Sequence, residues 1–250
     1  KVIPEVVVEE ATPEVEEPMF EVEPEEEMVE APPVVVIKAE PLPTLNNSDS
    51  WIQKKLTDFT WRKELLNLVV NEDMIRRFVV FTDNFSQGVL AYEHSPFILP
   101  ANKFSAIESK EAINLENNIV NKQPKIALHW DEKATRRFNL YVELLRSMDS
   151  SVLVNWYVDA KPLIDQAYSE LGYPNDDFTE TLQIAITRVL DMEFPENDFD
   201  LEQPSVMYKF KDKELESLEA TDKLLLRLGK ENVLIIKSIL LEINNKLNNQ

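Results

Sequence analysis

Arginine is the residue type whose chemistry stands out in this chain. The sequence carries a formal net charge of −20 over 250 residues, yet Arg76, Arg77, Arg136, Arg137 and Arg227 are concentrated in its later part. A guanidinium presents a planar fork of donors that matches a carboxylate, and it stays charged at any physiological pH. Two arrangements follow. In one, the arginines pair with acids such as Asp73, Asp83 and Glu132 and orient helices, the usual fate of arginine beside acid on a helical surface. In the other, some of them converge on a groove that receives an acidic peptide, an acidic polymer or the chain's own N-terminal arm. The candidate interaction groove comprises Arg76, Arg77, Asp83, Asn84, Arg136, Arg137, Arg227 and Asn232. Nucleic acid is a poor fit, because phosphate binding needs a positive field and the chain is negative throughout.

Other chemistries find less support. Two acids facing one cleft could cleave a cell-wall glycan, and Asp83, Glu143, Asp149, Asp159 and Asp165 are available. With 46 acidic residues, however, some such pair arises by chance. His94 and His129 are the only histidines, and neither has the i, i+4 partner of a helical zinc site. Serine hydrolysis is set aside because no G-x-S-x-G occurs and a triad would have to recruit one of those two histidines. Three scattered glycines cannot build a phosphate-cradling loop. The absence of cysteine removes thiolate nucleophiles and Cys-based metal sites. No catalytic residue, metal ligand or cofactor is assigned on these grounds.

The elements that must position the arginines divide the chain in two. The first 43 residues hold 13 acidic residues against Lys1 and Lys38, and 8 of the 15 prolines. Such a segment buries too little apolar surface to offset the entropy of ordering it, so residues 1–41 read as a disordered acidic tether. Within it, Val6-Val7-Val8 and Val34-Val35-Val36-Ile37 are short strand-prone clusters. No run of eighteen apolar residues occurs. The chain opens at Lys1 without a methionine, as expected of a trimmed longer product that once carried an anchor upstream.

Residues 42–250 read as a single mainly α domain, a multi-helix bundle of helical hairpins with a minor short β element. Its centre is Asp149 to Met192. Leu153, Trp156/Tyr157, Ala160, Leu163/Ile164, Ala167/Tyr168 and Leu171 lay one apolar stripe along a helix that is kinked or broken at Pro162. Gly172 and Pro174 end it; Asp177 and Glu180 start a second helix, expected antiparallel to the first. Upstream, the pattern predicts helices from Ser48-Asp49, over Arg62 to Val70, and from Asn71 and Asp73 to Gly88, with strand as the alternative for Val79 to Thr82. Phe104 to Glu108 and Ala112 to Glu116 suggest a weak hairpin. Helical spacing resumes from Asp131 through Met148. Val206 to Phe210 is short and extended, and two last helices flank Gly229.

Several landmarks taken together resemble a known bacterial family. They are Leu42-Pro43-Thr44-Leu45 with Ser48-Asp49, Arg76-Arg77-Phe78-Val79-Val80 running to Asp83-Asn84 and Gly88, and Arg136-Arg137-Phe138. Further on come Pro162-Leu163 with Ala167-Tyr168, Leu171-Gly172-Tyr173-Pro174, Pro204-Ser205-Val206 with Tyr208 and Phe210, and Leu225-Leu226-Arg227-Leu228-Gly229 with Asn232. In this order they are similar to domain of unknown function 3014, over roughly residues 42 to 247. The resemblance brings no activity with it. It implies a membrane helix, an acidic proline-rich linker and then this domain, on the periplasmic side of the inner membrane of Gram-negative bacteria. The membrane helix is missing from this chain, so membrane contact is expected only through that anchor. The function expected is a noncatalytic cell-envelope interaction or scaffold module with a protein or acidic peptide or polymer as partner. The alternatives are a carboxylate-dependent peptidoglycan hydrolase and a small-molecule or lipid-binding helical domain.

Overall fold

The computed structural model describes residues 41–110, 126–195 and 199–249. The expected tether, and the Ala112 to Glu116 half of the expected hairpin, lie outside the described residues. The described part is mainly helical, as its periodicity predicts, and its minor β component is a small four-stranded antiparallel sheet.

The helices are α1 (Asp49–Phe59), α2 (Met74–Ser86), α3 (Asn139–Arg146), α4 (Ser150–Glu170), α5 (Phe178–Asp191), α6 (Lys213–Ser217), α7 (Ala220–Leu228) and α8 (Lys230–Leu247). Sequence caps explain several starts. The Asp149 carboxylate accepts from the Ser151 and Val152 amides, and Asp177 accepts from the Thr179 amide at 2.9 Å. Asp177 also takes the Lys161 ammonium at 2.7 Å, which pulls its carboxyl down to about 2. The start of α2 is capped from elsewhere. Asp73 sits in the left-handed region (φ 50°), and the Asp49 carboxylate of α1 accepts from the Asp73 and Met74 amides, each at 2.9 Å.

Helix α2 is the hub, because its apolar residues satisfy two partners at once. Ile75 and Val79 are buried with Leu45, Ile52, Tyr157, Ala160, Ile164 and Phe178, while Phe85 joins a second core with Ala185, Val189, Leu225 and Val233. The hinge pair α4 and α5 therefore lean on α2 more than on each other, and α8 closes the other side against both. The two helices still touch across Gly172, through Lys161 to Asp177 and Tyr168 to Thr181. Pro162 lies inside α4 without dividing it.

Other expectations are corrected by particular contacts. Arg62 to Val70 contains only a 3₁₀ stretch, Lys63–Leu68, and Glu132–Phe138 is also 3₁₀ before α3 begins. Val79 to Thr82 are helical, not strand. Ahead of the two last helices, Lys213–Ser217 forms a separate short α6 that ends at Leu218. Strand β1 (Ala106–Lys110) pairs with β2 (Ile126–Trp130). Strands β3 (Asp200–Glu202) and β4 (Lys209–Phe210) complete the order β1-β2-β3-β4, so only the end of the extended Val206 to Phe210 piece is strand. One face of the sheet is apolar. Leu128, Trp130, Leu201 and Phe210 pack there with Phe104 and Leu226. The opposite face is set by register: Ser109 opposes Ala127, Ile107 opposes His129, and His129 opposes Asp200. No helix among the described residues is long and apolar enough to cross a membrane.

Candidate functional site

The eight expected residues do not form one groove. They separate into a structural set on α2 and a second set where the 3₁₀ stretch before α3 meets α7 and α8.

On α2 the arginines are engaged. Arg76 donates Nε to Glu170 Oε2 at 2.7 Å and Nη2 to Glu170 Oε1 at 3.0 Å and to Asn46 Oδ1 at 2.7 Å, with Asp73 at 3.5 Å. Its pKa is raised, first by the hydrogen bond to Glu170. Glu170 ends α4, where a negative charge opposes the helix dipole, so the fork neutralises a carboxylate in an unfavourable place. Arg77 donates to the Glu72 and Glu93 carbonyls at 2.9 and 2.6 Å. Asp83 is 8% exposed between helices, and desolvation pushes its carboxyl up. The Asn84 amide donates back to the Val80 carbonyl at 2.8 Å. Arg76, Arg77 and Asn84 are thus spent on contacts within the fold, and Asp83 is buried among the helices.

The second set behaves otherwise. Among the described residues no carboxylate pairs with Arg136, Arg137 or Arg227. Arg136 is exposed, whereas Arg137 and Arg227 are partly buried. The Arg137 guanidinium lies 4.6 Å from the Phe138 ring centre and 5.5 Å from that of Phe104, and its Nε is buried without an acceptor. Burial, and after it the neighbouring Arg227 charge, lower its pKa, Tyr92 acting the other way. Asn232 lies close by, donating to Leu228 O at 2.9 Å and reaching Thr135 O at 3.5 Å. Gly229 makes this junction possible. Its φ of 87° suits glycine, and a Cβ there would sit 2.8 Å from Thr135 Cγ2.

Sequence reasoning missed two clusters. Arg188 on α5 ties the start of α7 to the end of α2 through Glu219, Asp222 at 3.4 Å and the Ser86 carbonyl at 3.4 Å. It borders an open groove of about 820 Å³ lined also by Glu180, Ile184, Asp191, Glu193 and Leu218. Asp83, the carboxyl that burial pushes up, does not line it. The other cluster joins one of the two histidines to a serine and an aspartate. His129 Nε2 lies 2.7 Å from Ser109 Oγ and its Nδ1 lies 2.9 Å from Asp200 Oδ1. Three strands supply these residues, so no local motif could have announced them.

The sequence model of a family described as "Protein of unknown function (DUF3014)" matches residues 74–244. The chain belongs to that family. The DUF3014 match takes in both arginine sets and all four strands of the sheet, and it begins at the first residue of α2. No curated protein and no solved structure matches the chain.

Proposed function

We propose that this DUF3014 domain is an interaction module of the cell envelope, held on the periplasmic side of the inner membrane by its acidic tether, and that Arg137 and Arg227 receive a carboxylate-rich peptide or polymer. The observation that carries the reading is Arg137 itself, a partly buried cation that no acid among the described residues meets, beside a second cation, in a chain of net charge −20. Like charges partly withdrawn from water raise each other's free energy, and an arriving carboxylate removes that penalty while gaining charge-assisted hydrogen bonds. Arg136 and Asn232 stand at the rim as further donors. The location in the envelope rests on the layout expected of the family.

The test is titration of the full chain with a synthetic glutamate-rich peptide at low salt. Arg137→Gln and Arg227→Gln should each weaken binding by about tenfold or more, the loss expected for a hydrogen bond to a charged group. Arg76→Gln should leave the affinity unchanged. Equal affinity in wild type and both of the first two variants would reject the reading.

A further inference from the structure

The polar face of the sheet carries a second constellation, independent of the arginines. Ser109, on β1, sits diagonally across from His129 on β2, which directly opposes Asp200 on β3. The hydrogen bonds have the polarity of a nucleophile relay: Oγ of Ser109 to Nε2 of His129 at 2.7 Å, and Nδ1 of His129 to the Asp200 carboxylate at 2.9 Å. With Nδ1–H donated to Asp200, Nε2 is left with its lone pair towards the hydroxyl, the tautomer a general base requires. Lys211 reaches the second Asp200 oxygen at 3.4 Å and restrains that carboxylate. The His129 and Asp200 side chains are 39% and 47% exposed, so a substrate can reach them. Ile107 and Ala127 occupy the other diagonal of the same four-residue square and put apolar surface beside the hydroxyl, where a short acyl group can lie.

We propose that Ser109, His129 and Asp200 form a hydrolytic centre for esters of short carboxylic acids with good leaving groups. Ser109 Oγ adds to the ester carbonyl as its proton passes to His129 Nε2. The bond to the leaving alcohol breaks, His129 returns the proton to it, and Ser109 is left acylated. Water, giving its proton to His129, then attacks the acyl carbon; the bond to Ser109 Oγ breaks, His129 passes the proton to that oxygen, and the acid leaves. Asp200 is a positioning residue that fixes the imidazole tautomer. General-base assistance of this kind supplies about 10²–10⁴-fold, which is why the substrate must bring an activated leaving group.

The experiment uses the full chain, p-nitrophenyl acetate and a fluorophosphonate probe. The probe should attach at Ser109, and Ser109→Ala should lower kcat/KM for the ester by about a hundredfold. Asp200→Asn should lower kcat with KM unchanged and slow the labelling, a split that a merely structural role would not produce. Absence of an adduct at Ser109, or an Ser109→Ala rate equal to wild type, overturns the proposal, the imidazole or surface amines then being the nucleophile. Peptide binding at Arg137 is read separately in the Ser109→Ala protein, so failure of one proposal is distinguishable from failure of the other.

Discussion

The tripeptide Arg-Arg-Phe occurs twice, at residues 76–78 and 136–138, and its two copies meet opposite fates. The first opens α2, where Glu170, Asn46 and Asp73 saturate Arg76, carbonyl oxygens saturate Arg77, and Phe78 packs edge-on against Phe178 at 5.5 Å. The second lies in a 3₁₀ stretch, where Arg137 meets two rings and another arginine and, among the described residues, no acid. Charge that is answered among the described residues ties elements of the fold together, and it is on charge they leave unanswered that the proposed partner site rests. Residue type alone does not decide between these outcomes; the far end of another helix does.

The largest effect should come from the ring beneath the first copy. Phe178 is fully buried against Phe78 and Tyr168, so Phe178→Ala should cost about 3–5 kcal/mol in urea unfolding. Next, Arg137→Gln and Arg76→Gln should exchange phenotypes. The former loses peptide affinity without loss of Tm, and the latter loses Tm without loss of affinity. Two variants that behaved alike would erase the distinction between the copies. Gly229→Ala, which strains the junction beside Arg227, should cost about 1–3 kcal/mol and weaken peptide binding in parallel.

Two pH effects are smaller, and both concern the scaffold of the first copy. Asp177 is held at about 2 by Lys161, below its ordinary 3.8. A depressed carboxyl stabilises the fold above its unfolded pKa and loses that contribution as pH falls through the folded one. Stability should therefore drop by about 1 kcal/mol between roughly pH 4 and pH 2, after discounting for solvent screening, and Lys161→Met should shrink the step, the Thr179 amide supplying what is left. Asp83 has the opposite sign. Burial raises its pKa, so the fold is penalised as pH rises through that value and relieved below the unfolded one. Asp83→Asn should raise Tm at neutral pH and leave it unchanged once pH is below the carboxylate range.

Much of the helical body could be read directly, because its information is local. The Tyr157, Ala160, Ile164, Ala167 and Tyr168 stripe, the Asp177 cap and the helix stop at Gly172 all lie within a few residues of what they specify. The sheet could not. Asp200-Leu201-Glu202 is too short to show alternation, and β1 finds its partner beyond a long insertion rather than across a tight turn. The arginines were identifiable by type, but their roles were not, since Glu170 lies 94 residues from Arg76. Ser109, His129 and Asp200 were invisible for the same reason, His129 and Asp200 being 71 residues apart.

The trans cap on α2 bears on how the molecule can be cut. Asp49 precedes the matched span, while the two amides it satisfies open α2 at the threshold of that span. A recombinant fragment trimmed to start at Met74 would lose this carboxylate together with Leu45 and Ile52, exposing a greasy flank, and should collect in inclusion bodies. The cooperative folding unit thus reaches back at least to Leu45, and limits set by kinship are too tight for the protein they delimit.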